Sequence, residues 1–217
     1  MKQAHQGYTL IELIIVITII SILVGFAIPA YTQFNASQLL KRAATEMKDD
    51  LRLMQNRAST GEKNCPCWDN SPPRNPPIGN CDSQPDEDLI DDNRLTGWYL
   101  SVDQAVGNNT SYTMYGNCMY DESGNLGYDF TSGASLRKLP PQVVVESIVI
   151  TGDSLSGSVL SVAFLAANQG VQFYSGTMSG TLMGSATQVV ITLRSQQIGD
   201  GYTVTVTSAG NMYETRL

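Results

Sequence analysis

Leu10 to Ile28 read LIELIIVITIISILVGFAI, nineteen positions that carry a single charge, Glu12. At ~1.5 Å per residue such a run makes a helix of roughly 28 Å, close to the ~30 Å hydrocarbon core of a bilayer. An ordinary secretory signal has a basic start, a shorter apolar core and a small-residue cleavage site after it. Here the flank Met1–Gln6 carries only Lys2 and His5, and nothing of the form A-x-A follows the run. A plain signal anchor fits the length better, and Lys2 on the short side sets the N-terminus in the cytoplasm. Neither reading accounts for Glu12. A charge at the membrane centre costs ~2.5–3.5 kcal/mol on insertion scales, less near the edge of the run. A carboxylate near a helix N-terminus regains ~0.3–1 kcal/mol from the macrodipole. An acid in such a place is retained for a function, and its burial calls for a partner.

Gly7-Tyr8-Thr9-Leu10-Ile11-Glu12-Leu13 resembles the processing site of type IV prepilins. In that family a short polar leader ends in glycine, and an aromatic residue follows. A hydrophobic segment with glutamate at its fifth position comes next. The resemblance implies cleavage after Gly7 by a membrane-embedded prepilin peptidase and methylation of the new amino group on Tyr8. It also implies that the Glu12 carboxylate meets the N-terminal amine of a neighbouring subunit during assembly. Tyr8 stands where phenylalanine is usual, which keeps the aromatic character. Pro29 falls where many members carry a helix-loosening proline. With Gly25 it marks the expected kink or melted turn, because proline deletes an intrahelical hydrogen bond.

Beyond Pro29 the pattern changes from apolar all round to apolar on one stripe. Leu40, Ala43, Ala44, Met47, Leu51, Met54 and Ala58 recur at the i, i+3/i+4 spacing of one buried face. Lys41, Arg42, Lys48, Arg52 and Arg57 fall between them. Glu46, Asp49 and Asp50 offset these cations, so the stretch reads as a solvated, mixed-charge face. Gly61 is the expected stop. The expected organisation is therefore a leader (1–7) and one helix (8–60), with 8–29 as transmembrane segment or filament core and 30–60 amphipathic. A β-rich globular domain (61–217) follows.

Residues 62–93 break all periodicity and hold six of the nine prolines. Cys65, Cys67 and Cys81 lie there and Cys118 beyond; an even cysteine count in an exported chain reads as up to two disulfides. Cys65 and Cys67 are too close to favour pairing with each other, so each is expected to bond Cys81 or Cys118, with the connectivity open. The same four do not have a zinc-finger spacing, and no metal site is expected from them. Asp82, Asp86, Glu87, Asp88, Asp91 and Asp92 offer oxygens for calcium but lack the ordered D-x-D-x-D-G spacing. Asp121-x-Ser123-x-Asn125 sits where a turn is wanted. Solvated loop acids are the simpler reading, with calcium the one cofactor left open.

From Gly97 onward short β-rich runs alternate with turns, at 97–103, 112–120, 142–151, 159–165, 170–174, 187–195 and 201–208. Tyr202, Val204 and Val206 against Thr203, Thr205 and Thr207 show the alternation of a half-buried strand. The expected fold class is α+β, a long N-terminal helix packed on an antiparallel sheet domain. Leu51-Arg52 through Arg57-Ala58, Gly97-Trp98 with Asp103, Phe164 with Gly170, and Thr203–Gly210 followed by Asn211 are similar to the pseudopilin H/FimT group of minor pilins. FimT-like members of that group are associated with DNA uptake through basic residues near the C-terminus. Here the tail from Asn211 has only Arg216 and also Glu214, and nucleic acid is not an expected partner.

Charged residues are 15% of the chain and the net charge is −7, which argues against binding nucleic acid through overall electrostatics. The one histidine, His5, lies in the leader, so no Ser-His or Cys-His pair remains after processing. Phosphate-binding glycine loops are absent. The chain is expected to be a structural subunit and not an enzyme. It would be a minor pilin or pseudopilin, partnered by other pilin subunits, by the prepilin peptidase and by the inner membrane. It would cross that membrane once and then enter a periplasmic or extracellular filament of a type IV pilus or a type II secretion pseudopilus. Two further readings are a filament subunit that captures DNA and a membrane-anchored exported β-domain without a filament role.

Overall fold

The computed structural model describes residues 9–62, 94–119, 135–166, 170–176 and 180–217. Among the described residues a single helix, α1 (Leu10–Thr60), precedes ten strands. Its 51 residues make a rod of roughly 77 Å. Thr9 caps the first turn, and Gly61 ends the last in the left-handed conformation, φ 67° and ψ 23°. The amides of Gly61 and Glu62 turn back onto the Ala58 and Arg57 carbonyls, so the glycine stop forms as expected. The helix runs unbroken through Gly25 and Pro29. The proline there costs one hydrogen bond, the one that would reach the Gly25 carbonyl four residues back.

The strands described form two antiparallel sheets, in keeping with the expected α+β class. The larger contains β1 (Arg94–Asp103), β2 (Ser111–Met119), β3 (Ser135–Lys138), β5 (Val159–Leu165), β6 (Val171–Ser175) and β7 (Thr181–Leu182), in the order β3-β2-β1-β5-β6-β7. The smaller contains β4 (Val143–Thr151), β8 (Gln188–Ser195), β9 (Gly201–Thr207) and β10 (Met212–Arg216), in the order β10-β9-β8-β4. The second half of α1 touches β1 and β5 of one sheet and β4, β8, β9 and β10 of the other. One core joins all three layers. Leu40, Ala43, Ala44, Met47, Leu51, Met54 and Ala58, the whole expected stripe, are buried together with Ala36. They meet Leu100, Val162 and Phe164 from the larger sheet and Val189, Ile191, Leu193, Val204 and Val206 from the smaller. Each large aliphatic side chain buried in this way stabilises the fold by ~1.5–3 kcal/mol.

Strands β3, β7 and β10 were not foreseen. The tail from Asn211 is an edge strand: Met212 to Arg216 pair residue by residue with Val206 to Tyr202 of β9. Only Met212 of β10 is buried, and β3 is exposed throughout. Backbone pairing, which leaves no hydrophobic alternation in the sequence, holds both.

Residues alternate between faces along β1. Trp98, Leu100 and Val102 join the main core, while Tyr99 points to the opposite face. There Tyr99 stands opposite Tyr115, the two rings stacked at 5.7 Å with 7° between their planes.

Candidate assembly site

Glu12 sits in the first turn of α1, and Thr9 holds it there. The Glu12 amide donates to Thr9 Oγ1 at 3.3 Å. In return Glu12 Oε2 accepts from the Thr9 amide at 2.9 Å and from the Thr9 hydroxyl at 2.8 Å. This is a complete capping box: each residue's side chain serves the other's otherwise unpaired backbone donor. The signal for it, Thr-x-x-Glu at residues 9–12, was in the sequence and went unread. The carboxylate is thereby split in use. Oε2 closes the helix end, and Oε1 has no hydrogen-bond partner among the described residues.

The segment that follows has no cover. From Leu10 to Ile28 the large apolar side chains are 49–77% exposed, and this is a helix long and apolar enough to cross a membrane. Its few polar side chains are satisfied internally. The Thr18 hydroxyl donates to the Ile14 carbonyl and the Ser21 hydroxyl to the Ile17 carbonyl, each at 2.7 Å; beyond Pro29 the Thr32 hydroxyl donates to the Pro29 carbonyl at 2.9 Å. Self-bonding of this kind lets a hydroxyl enter an apolar medium. Glu12 alone keeps a charge and an open acceptor inside the run.

Side chains at the distal end anchor this rod to the domain. Lys48 pairs with Glu214 of β10, and the hydrogen bond from Lys48 holds the Glu214 carboxyl below its ordinary range. The Tyr112 hydroxyl donates to Asp50 Oδ2 at 2.8 Å, with Arg137 Nε 3.5 Å from the same oxygen. Burial, then the Asp50 carboxylate, push the Tyr112 phenol well above its usual value. Arg57 lies 4.8 Å from the centroid of the Trp98 ring, and Trp98 Nε1 donates to the Glu62 carbonyl at 2.9 Å. The helix face expected to be solvated is therefore partly a docking face. Lys48 is only 13% exposed because the strand formed by the tail closes over it. Lys48, Arg42, Arg52 and Arg57, four of its five cations, each face an acid, which neutralises it as a basic surface.

Gly7 and Tyr8, the expected processing junction, lie outside the described residues, as do Cys65, Cys67, Cys81 and the acids of 82–92 and 121–125. Cys118 lies in β2, its backbone opposite Leu95. Among the described residues no group of three or more His, Cys, Asp or Glu side chains comes together to hold a metal ion.

The family model described as "Prokaryotic N-terminal methylation motif" matches residues 2–28. A type IV major fimbrial protein FimA of Dichelobacter nodosus (strain VCS1703A) is 35% identical over 82 residues, 38% of this chain and 48% of the relative. Another FimA of Dichelobacter nodosus is 40% identical over 73 residues, 29% of this chain and 46% of the relative. A fimbrial protein of the same organism is 58% identical over 36 residues, 17% of this chain and 22% of the relative. The chain spans about half the length, or less, of these curated relatives. No solved structure matches.

Proposed function

We propose that this chain, type IV prepilin-like in its methylation motif and in its likeness to fimbrial proteins, is a structural subunit of a type IV pilus or a type II secretion pseudopilus, of the minor pilin or pseudopilin kind. The observation that carries this is Glu12: one carboxylate at the head of an uncovered apolar helix, capped on one oxygen and open on the other. In the precursor, α1 anchors the chain in the inner membrane with the N-terminus in the cytoplasm. The prepilin peptidase cuts after Gly7, and Tyr8 becomes the methylated first residue. Glu12 Oε1 then accepts the positive amine of Tyr8 from a neighbouring subunit. In an apolar surrounding such a pair is strongly favoured over either charge alone. The exposed apolar side chains of Leu10–Ile28 pass from lipid to the helices of other subunits. The cysteines at 65, 67, 81 and 118 form up to two disulfides once exported.

The test is the Glu12→Ala variant, expressed in place of the native chain. Membrane insertion should persist and incorporation into sheared filaments should be lost. Normal incorporation of that variant would contradict the role given to Glu12, and absence of the native chain from sheared filaments would favour a membrane-anchored exported domain without a filament role.

A further inference from the structure

Where α1 leaves the domain, a notch of about 570 Å³ opens between the helix and the base of the smaller sheet. Its walls are Thr32, Gln33 and Ser37 from the helix, Gln197 and Ile198 from the β8–β9 turn, and the pair Asp200 and Arg216. Arg216 Nη2 donates to Asp200 Oδ2 at 2.7 Å, and the two side chains remain 59% and 40% exposed. The volume is within the ~300–1,000 Å³ range of sites that hold small molecules.

The height of this notch above the membrane follows from the helix. The apolar run ends at Ile28, so at ~1.5 Å per residue the helix wall of the notch runs from roughly 6 Å beyond the hydrocarbon edge at Thr32 to roughly 13.5 Å at Ser37. A headgroup layer occupies about 5–7 Å on each side of the core. Tyr31, 70% exposed, lies at the same level, where amphipathic aromatic rings collect. The lower rim of the notch thus meets the phospholipid headgroup layer, and its wall carries one cation and one anion, Arg216 and Asp200.

We propose that this notch binds a zwitterionic phospholipid headgroup bearing a primary amine, as in phosphatidylethanolamine. The guanidinium of Arg216 has five donors and uses one on Asp200, which leaves its fork for the phosphate. The carboxylate of Asp200 has lone pairs left for the ammonium. Gln33, Ser37 and Gln197 supply neutral hydrogen bonds around them. An anionic headgroup without an amine satisfies Arg216 but sets its charge against Asp200. A quaternary amine has no N–H to give. The pair therefore selects for an amine as well as a phosphate. In the membrane-held precursor the bound lipid seats the domain on the leaflet at a fixed rotation about α1, and extraction into a filament releases it. This inference rests on the anchoring of α1 in a membrane proposed above.

The experiment uses the full chain reconstituted in vesicles of equal phosphatidylethanolamine and phosphatidylglycerol, extracted in mild detergent and weighed with its retained lipid by native mass spectrometry. One phosphatidylethanolamine per chain is expected, several-fold above phosphatidylglycerol. Arg216→Gln should lower retention of both lipids about tenfold, the scale of a lost charge-assisted hydrogen bond. Asp200→Asn should keep retention but equalise the two lipids, a ratio that does not depend on how much protein folds. Arg52→Gln, on the far part of the helix, should match the native chain. Retention at the vesicle ratio by the native chain, or native-like selectivity in Asp200→Asn, overturns the proposal while leaving the anchoring reading intact. Failure of the native chain to enter vesicles overturns both.

Discussion

Lys48 of α1 and Glu214 of β10 form an ion pair with side chains only 13% and 24% exposed, joining the distal half of the helix to the last strand of the domain. The pair ties β10 to the element that carries the candidate assembly site, since Glu12 and Lys48 stand on one continuous helix. The Lys48 hydrogen bond lowers the Glu214 carboxyl from its ordinary value of 4.5. A carboxyl lowered in the folded state contributes stability that is complete above its unfolded value and fades as pH falls through the folded one. Lys48→Met, which keeps the apolar stem, should therefore cost about 1–2 kcal/mol at neutral pH. The difference from the native chain should shrink as pH drops below 4.5. Urea denaturation of both proteins across that range measures it.

Gly97 is held by a backbone contact. A Cβ there would lie 2.5 Å from the Phe164 carbonyl oxygen, in the adjacent strand β5, which cannot move without disturbing the sheet. Gly97→Ala should destabilise the fold by about 1–3 kcal/mol. At Gly116 the same added carbon would meet the Trp98 ring at 3.5 Å, an ordinary contact. Gly116→Ala should change the denaturation midpoint little, and equal effects at the two sites would contradict this packing.

Leu51 has no exposed surface and lies where α1 faces both sheets. Leu51→Ala should cost about 2–5 kcal/mol through lost burial and the cavity left behind. Leu53, two residues on and 38% exposed, should tolerate alanine at a cost of about 0.5 kcal/mol or less. Thermal denaturation of the two variants distinguishes a docked helix from one merely attached to the domain.

Thr9 should matter for the first turn alone. Thr9→Ala removes the hydroxyl that serves the Glu12 amide, at a cost of about 0.5–2 kcal/mol, while Thr9→Ser keeps it. Hydrogen exchange of the first-turn amides in detergent-solubilised full-length protein should quicken in the alanine variant and stay native-like in the serine variant. Equal exchange in all three would contradict the cap.

The helix was the most legible part of the chain, because its two halves carry two clear patterns. An unbroken apolar run and then an i, i+3/i+4 stripe located every buried residue from Leu40 to Ala58. Seven of the strands, β1, β2, β4, β5, β6, β8 and β9, were legible through alternation and turn residues. β3 and β10 were not, since their side chains are mostly exposed and their pairing is a property of the backbone. Nor was the division into two sheets, because the core face of a strand looks the same in either sheet. At the assembly site Glu12 was conspicuous as the one charge in its run. The reciprocal bonds of Thr9 were less so, because an apolar run that begins at Leu10 does not by itself say at which residue its helix starts. Lys48 and Glu214 lie 166 positions apart (214 − 48), beyond the reach of any local pattern. The expected processing junction at Gly7–Tyr8 and the cysteines at 65, 67 and 81 lie outside the described residues.

The central claim is that α1 is an assembly element exposed by processing, and the mass of the chain's N-terminus in sheared filaments tests it most directly. The account predicts a chain that begins at N-methylated Tyr8. Filaments free of this chain, with all of it in the membrane and still beginning at Met1, would contradict it.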